Sequence, residues 1–287
     1  MQNRKTVFVT GATGNQGGSV VRHLLGKGYR VKTLVRNPDS PRAKSLVQEN
    51  VEIIKGDLND PASYRNHLQN MDAVFCNLHF KEGVDKETRQ GFNFVTISKE
   101  QGVKHIIYSS VIGCDLNTGI PHWESKWKIE NHIKSTGIDF TILRPASLFE
   151  NLLLPQVKSR ILKGKLVLPT RADKVQQFIS ADDIGRVSAA ILSDLGKYTG
   201  RTIMLASEQM DGSELAAVFS KILSKDIKFQ QLPKLIVRLV MGKGLTKMFR
   251  WINDNDAVFI KDIGDLKKEF HGMLSIEKWI EINFKQS

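Results

Sequence analysis

Short apolar runs alternate with segments of helical spacing through the first half of the chain. Thr6–Thr10, Arg30–Val35, Glu52–Lys55, Ala73–Asn77, His105–Ser109 and Asp139–Leu143 carry the β-branched and aromatic residues that suit strands. Between them, apolar residues return at three- and four-residue intervals, as in Val20, Val21, Leu24 and Leu25, and a second such segment runs from Trp127 to Ile133. Strands separated by helices in this order predict βαβ units, and therefore a parallel sheet of six strands with helices on both faces. After Leu143 the alternation weakens to an apolar run at Thr202–Leu205 and helical patterns at Ser213–Leu223 and Leu235–Phe249. These later segments are expected to build a smaller C-terminal lobe.

Composition narrows the setting. With 41% hydrophobic and 25% charged residues among 287, the chain is neither disordered nor fibrous. Lys and Arg total 42 against 30 Asp and Glu, a formal charge of +12 that asks for an anionic partner: nucleic acid, a membrane surface or a phosphorylated small molecule. The two cysteines, Cys76 and Cys114, form no metal-ligand spacing and are too few for a disulfide framework, which points to a reducing, cytoplasmic location. No stretch approaches the ~20 apolar residues of a membrane span, and the N-terminus enters Val7 without a signal-peptide core.

The first strand runs into Gly11-Ala12-Thr13-Gly14-Asn15-Gln16-Gly17 and then into an amphipathic helix. Glycines here let the chain turn tightly, approach a pyrophosphate and pack helix on strand, while the helix N-terminus offers unbonded N–H groups. The spacing is G-x-x-G-x-x-G rather than G-x-G-x-x-G, and its place within a βαβ unit identifies it as a dinucleotide cradle. The fold expected is thus an α/β Rossmann-type doubly wound sheet, with residues 1–151 binding the dinucleotide, aided by some later elements, and residues 152–287 mainly forming the smaller substrate or partner lobe. The second strand ends in Arg36-Asn37, where an NAD-selective protein usually presents a carboxylate to the ribose. A guanidinium there can fork onto a 2′-phosphate, so the cofactor expected is NADP(H), with Arg42 and Lys44 as nearby cations. Asp57-Leu58 ends the third strand. Asp57 has two readings that can hold together, a place beside the adenine and a cap on the helix beginning near Pro61.

Together, Val9–Ser19, Thr33–Pro38, Gly56-Asp57, Tyr108-Ser109, Leu143–Pro145, Phe149–Leu152 and Lys247–Trp251 resemble the NmrA-like family, an atypical branch of the short-chain dehydrogenases/reductases, and most of all its NADPH-sensor type. The wider superfamily's enzymes use a Tyr-x-x-x-Lys pair as proton relay. None of the four tyrosines has a lysine four residues on. By resemblance, Lys126 falls on the family's lysine and His122 takes the place of the tyrosine. His122 could serve as acid/base with Lys126 beside it, or Lys126 could hold the cofactor ribose while nothing is catalysed. The resemblance also implies that Leu78, His79 and Phe80 line the cofactor and that Leu148, Phe149, Glu150 and Asn151 close over its nicotinamide half. It implies a redox sensor or regulator working through protein partners, or alternatively an NADPH-dependent reductase of a small electrophile such as a quinone.

From Lys221 to Arg250 the chain holds eight cations opposed by Asp226 alone. A docking role for this stretch competes with a solvated helix face whose Leu, Ile, Val and Met side chains pack inward, and the latter is expected. No helix-turn-helix, zinc spacing or RNA-binding signature accompanies it, so direct DNA binding is disfavoured. A protein partner reached through the C-terminal lobe, and a homodimer, are the assemblies anticipated.

Overall fold

A computed structural model describes residues 4–285 and divides the chain into two compact units. The first runs through Arg144 and takes back Ala181–Ile203; the second comprises Pro145–Ser180 and the chain from Met204 onward.

In the first unit the strands are β1 (Thr6–Val9), β2 (Arg30–Val35), β3 (Glu52–Lys55), β4 (Ala73–Asn77), β5 (His105–Ser109) and β6 (Asp139–Pro145). Their order is β6-β5-β4-β1-β2-β3, and each adjoining pair is parallel. The order reverses between β1 and β4, so the chain leaves the ends of these two neighbours in opposite directions and opens a crevice there, where doubly wound sheets bind ligands. Val7, Phe8 and Val9 are fully buried, as are Ala73 through Cys76, because helices cover both faces of a parallel sheet.

A seventh strand, Thr202–Leu205, flanks β6. It was expected in the lobe. Its placement follows from a long return in which Ile142 donates to Arg201 O at 2.9 Å, a pairing across dozens of residues that the apolar run alone does not disclose.

Four helices of this unit position the site: α1 (Asn15–Gly26), α2 (Pro41–Gln48), α3 (Val84–Glu100) and α4 (Pro121–Thr136). Pro41 and Pro121 stand in the first turns of α2 and α4, where the missing N–H costs nothing. After α5 (Pro155–Leu162) of the second unit comes α6 (Ala181–Ser193), which returns to lie on α1. The approach is tight enough that a Cβ on Gly185 would stand 2.3 Å from Ser19 Oγ.

The second unit carries a three-stranded sheet, Glu208–Met210, Gln176–Ile179 and Ser147–Leu148, and a parallel pair, Lys165–Leu168 with Lys228–Gln231. The helix predicted over Ser213–Leu223 is Gly212–Leu223, opened by a capping box of Asp211 and Glu214. Its Leu215 and Phe219 join Phe149, Phe178 and Trp279 in one apolar core.

Candidate functional site

Gly11 adopts φ +68°, a left-handed conformation that costs glycine nothing, and turns the chain out of β1. Gly14 N–H then donates to Gly11 O at 2.9 Å, and the first bond of α1 runs from Gly18 N–H to Gly14 O at 3.0 Å. No side chain caps α1, and no acidic residue occupies its first turn. The amides of Asn15, Gln16 and Gly17 therefore keep their hydrogens for a ligand at the positive end of the helix. The glycine at 17 has a separate cause: a Cβ there would lie 2.3 Å from Gly11 O. Ala12 is buried, and Thr13, Asn15 and Gln16 ring the rim. Thr10 ties this turn to the sheet, donating to Asn77 O at 3.0 Å and accepting from Asn77 N–H at 2.8 Å. Ser109 holds Gln16, its hydroxyl donating to Oε1 at 2.6 Å. The loop thus sits at the crevice between β1 and β4 with its donors unbonded, which suits a pyrophosphate.

Two guanidiniums stand beside it. Arg42 Nη1, from the start of α2, donates to Thr13 O at 2.6 Å and so reaches the loop directly. Arg36 follows β2 and is largely exposed, and its Nη1 donates to Glu82 Oε1 at 2.7 Å. Lys86 and then Arg36 bond this carboxyl and hold it down at about 2, so Glu82 is ionised throughout the neutral range. Asn37 Oδ1 accepts from Asp39 N–H at 3.0 Å and shapes the turn after Arg36. Asp57 does not cap the turn at Pro61; Asp60 does, accepting from Ala62 N–H at 3.2 Å. A cap must immediately precede the first turn, and Asp57 lies too early. It bonds Asn59 instead, by both backbone and side-chain N–H. Leu58 packs against the core of this unit.

The lysine at 126 is 7% exposed. Nζ donates to Leu78 O at 2.8 Å and to Ser109 O at 3.4 Å, joining the chain just beyond β4 to the end of β5. It also forms an ion pair with Glu87 Oε1 at 2.9 Å. The other oxygen of Glu87 accepts from Ser125 Oγ at 2.5 Å. Glu87 did not emerge from the sequence as a site residue, although a signal was present: it precedes Gly91, Phe94, Val95 and Ser98 on the buried stripe of α3, an unusual place for a carboxylate.

His122 is buried and stacks on Phe80 with ring centroids 4.5 Å apart. Burial pushes its imidazole down to about 4, against the pull of Glu87 and helped by Lys126. Burial raises the Tyr108 phenol well above its usual value, although Lys126 Nζ lies 5.4 Å from its ring centroid. Leu78 is buried, and His79 is exposed with Nδ1 accepting from Lys81 N–H. Cys114 Sγ donates to Glu130 Oε1 at 3.1 Å, and burial together with that carboxylate pushes its thiol up to about 12. Glu130 is clamped by Arg144 at 2.9 and 2.8 Å. With the imidazole of His122 held low and the protons of Tyr108 and Cys114 held tightly, these three groups keep one protonation state through the neutral range.

Leu148, Phe149, Glu150 and Asn151 belong to the second unit. Phe149 is fully buried there, stacked at 6.0 Å on Phe178 and tilted at 5.4 Å against Trp279. Glu150 Oε1 accepts from Trp279 Nε1 at 3.2 Å. Leu148 pairs in register with Ile179, and Asn151 is exposed.

Residues 3–279 match the NmrA-like family. The chain belongs to this family. This NmrA-like protein is 30% identical over 242 residues to an NmrA-like family domain-containing protein of Dictyostelium discoideum, covering 79% of this chain and 80% of that one. Among solved structures it is similar to NmrA, a negative transcriptional regulator in complex with NAD, at 22% identity and a TM-score of 0.83, covering 99% of this chain and 97% of that chain. It is also similar in fold to an Escherichia coli NADPH-dependent quinone oxidoreductase complexed with NADPH, at 21% identity and a TM-score of 0.81, covering 97% of this chain and 99% of that chain. At such identities the two structures establish the Rossmann-type fold, which regulator and reductase share.

Proposed function

We propose that this NmrA-like protein binds NADP(H) and reports the NADPH/NADP ratio to protein partners instead of turning over a substrate. The observation that carries this reading is the engagement of Lys126 by Leu78 O, Ser109 O and Glu87. A lysine so held braces the strand ends and can orient a ribose hydroxyl from its remaining face, but it is poorly placed to give up a proton. His122, pushed to about 4, is neutral at about pH 7 and so has no imidazolium proton to give, and Tyr108 keeps its phenolic proton.

The uncapped amides of Asn15, Gln16 and Gly17 hold the pyrophosphate. Arg36 and Arg42 bind the 2′-phosphate and set the preference for NADP(H) over NAD(H). Asp57 and Leu58 border the adenine, Leu78, His79 and Phe80 lie along the cofactor, and Leu148–Asn151 cover its nicotinamide half. When bound, NADPH supplies a hydride. The cytoplasm is the compartment proposed, in keeping with two free, buried thiols at Cys76 and Cys114.

The second reading is a reductase of small electrophiles, in keeping with the 28% identity over 225 residues to an NAD(P)H azoreductase of Xenophilus azovorans. Calorimetric titration with NADPH, NADP and NADH, followed by stopped-flow oxidation of NADPH with a quinone panel, separates the two. Tight binding of NADPH without turnover is the expected result. Turnover that is abolished in Lys126→Met, with NADPH affinity retained, would overturn the sensor reading in favour of the reductase.

A further inference from the structure

The helix Lys234–Asp254 departs from the expectation that its apolar side chains face inward. Its backbone breaks at Gly242, where φ 73° and ψ 175° are open only to glycine, leaving an eight-residue first segment, 234–241. On this segment only Val237 is buried. Leu235, Leu239 and Val240 are 69%, 76% and 72% exposed, and Ile236 is 42% exposed. At about 100° per residue these four span an arc of roughly 140°, with Arg238 about 60° beyond it and Lys234 about 40° further on. Just before the segment, a groove of about 600 Å³ is bordered by Arg160, Lys165, Gln230, Gln231 and Pro233. Four exposed aliphatic side chains on one short segment therefore adjoin a groove that carries two cations.

We propose that this face docks on an anionic phospholipid surface, with Leu235, Ile236, Leu239 and Val240 entering the acyl boundary while Lys234, Arg238, Arg160 and Lys165 meet lipid phosphates. Three observations select a membrane surface over a protein. The border of the arc carries lysine, in which membrane-surface helices are rich and protein interfaces are depleted. A segment of about 12 Å offers a few hundred Å², well short of the roughly 800 Å² per partner of a stable dimer. The +12 charge of the chain adds long-range attraction to an anionic leaflet.

Flotation of the full chain with vesicles of phosphatidylcholine, with and without phosphatidylglycerol, tests the proposal. Binding is expected to the anionic vesicles and not to the neutral ones, and to weaken as salt is raised. Each of Lys234→Gln and Arg238→Gln should weaken it about fivefold. Leu239→Asp with Val240→Asp should weaken it at least about tenfold. Retained NADPH affinity and circular dichroism would establish that each variant is folded. Equal partitioning to both vesicle types, or undiminished binding by the folded aspartate variant, would overturn the proposal. So would absence of vesicle binding together with a dimer in sedimentation that the aspartate variant dissolves, since the face would then serve a second copy of the chain.

Discussion

Lys126 and Glu87 form an ion pair at 2.9 Å in which the Glu87 side chain is fully buried and the Lys126 side chain is 9% exposed. Neither charge can return to water without opening α3 from α4, so the pair couples the two helices to the ends of β4 and β5. Removing one partner strands the other charge. Glu87→Ala should destabilise the fold by about 3–5 kcal/mol, whereas Glu87→Met combined with Lys126→Met should cost far less than the sum of the single changes. Urea unfolding of the three variants gives the coupling, and additive costs would show that the pair is not the element holding the helices.

The glycine turn after β1 offers a second test. A methyl at position 17 would meet Gly11 O at 2.3 Å, a backbone atom that cannot swing away. Gly17→Ala should therefore cost about 1–3 kcal/mol in overpacking and displace the first turn of α1. NADPH titration should show affinity lost beyond detection in a protein whose thermal transition is still cooperative.

Cofactor preference should follow Arg36. Loss of a charge-assisted contact to the 2′-phosphate, at about 1.5–3 kcal/mol, predicts that Arg36→Ala weakens NADPH by roughly 10–150-fold and leaves NADH nearly unchanged. Glu82 competes for the same guanidinium at 2.7 Å, so Glu82→Gln should tighten NADPH. Parallel titrations with both dinucleotides read these effects, and an equal loss for NADH in Arg36→Ala would remove Arg36 from the specificity site.

Acid should weaken the fold through two histidines. Burial pushes both His105 and His122 from 6.5 down to about 4. The unfolded chain therefore takes up protons below 6.5 while the folded chain stays neutral until about 4. Their stabilising contribution is complete above 6.5 and is lost as pH falls from 6.5 to 4, on the order of 2 kcal/mol for each at about pH 5. Urea midpoints measured at about pH 7.5 and pH 5 should differ accordingly, and His122→Gln should shrink the difference. An unchanged difference would mean that His122 is protonated in the folded protein.

Much of the first unit was legible beforehand. The six strands expected in the first half are β1 to β6, within a residue or two at their ends. Such strands are short apolar runs whose neighbours follow from right-handed crossovers, so local pattern and connection rules suffice. The turn at Gly11 and the closeness at Gly17 are equally local, each satisfied by backbone atoms a few residues away. Asp57 was misassigned as a cap: the turn at Pro61 is capped by Asp60, which stands immediately before it.

Side-chain partnerships and exposure depended on packing. Arg36 and Glu82 meet across 46 positions, and the lysine at 126 finds Glu87 from a different helix, contacts that no periodicity encodes because they arise only when separate elements settle on one sheet. The strand Thr202–Leu205 joined the main sheet after a long excursion through the second unit. The segment 234–241 reads as apolar whether it is buried or bare, and only the folded chain turned Leu235, Leu239 and Val240 outward. Hydrophobic pattern records which residues prefer to leave water; which of them succeed is decided by the surface that the rest of the fold can offer.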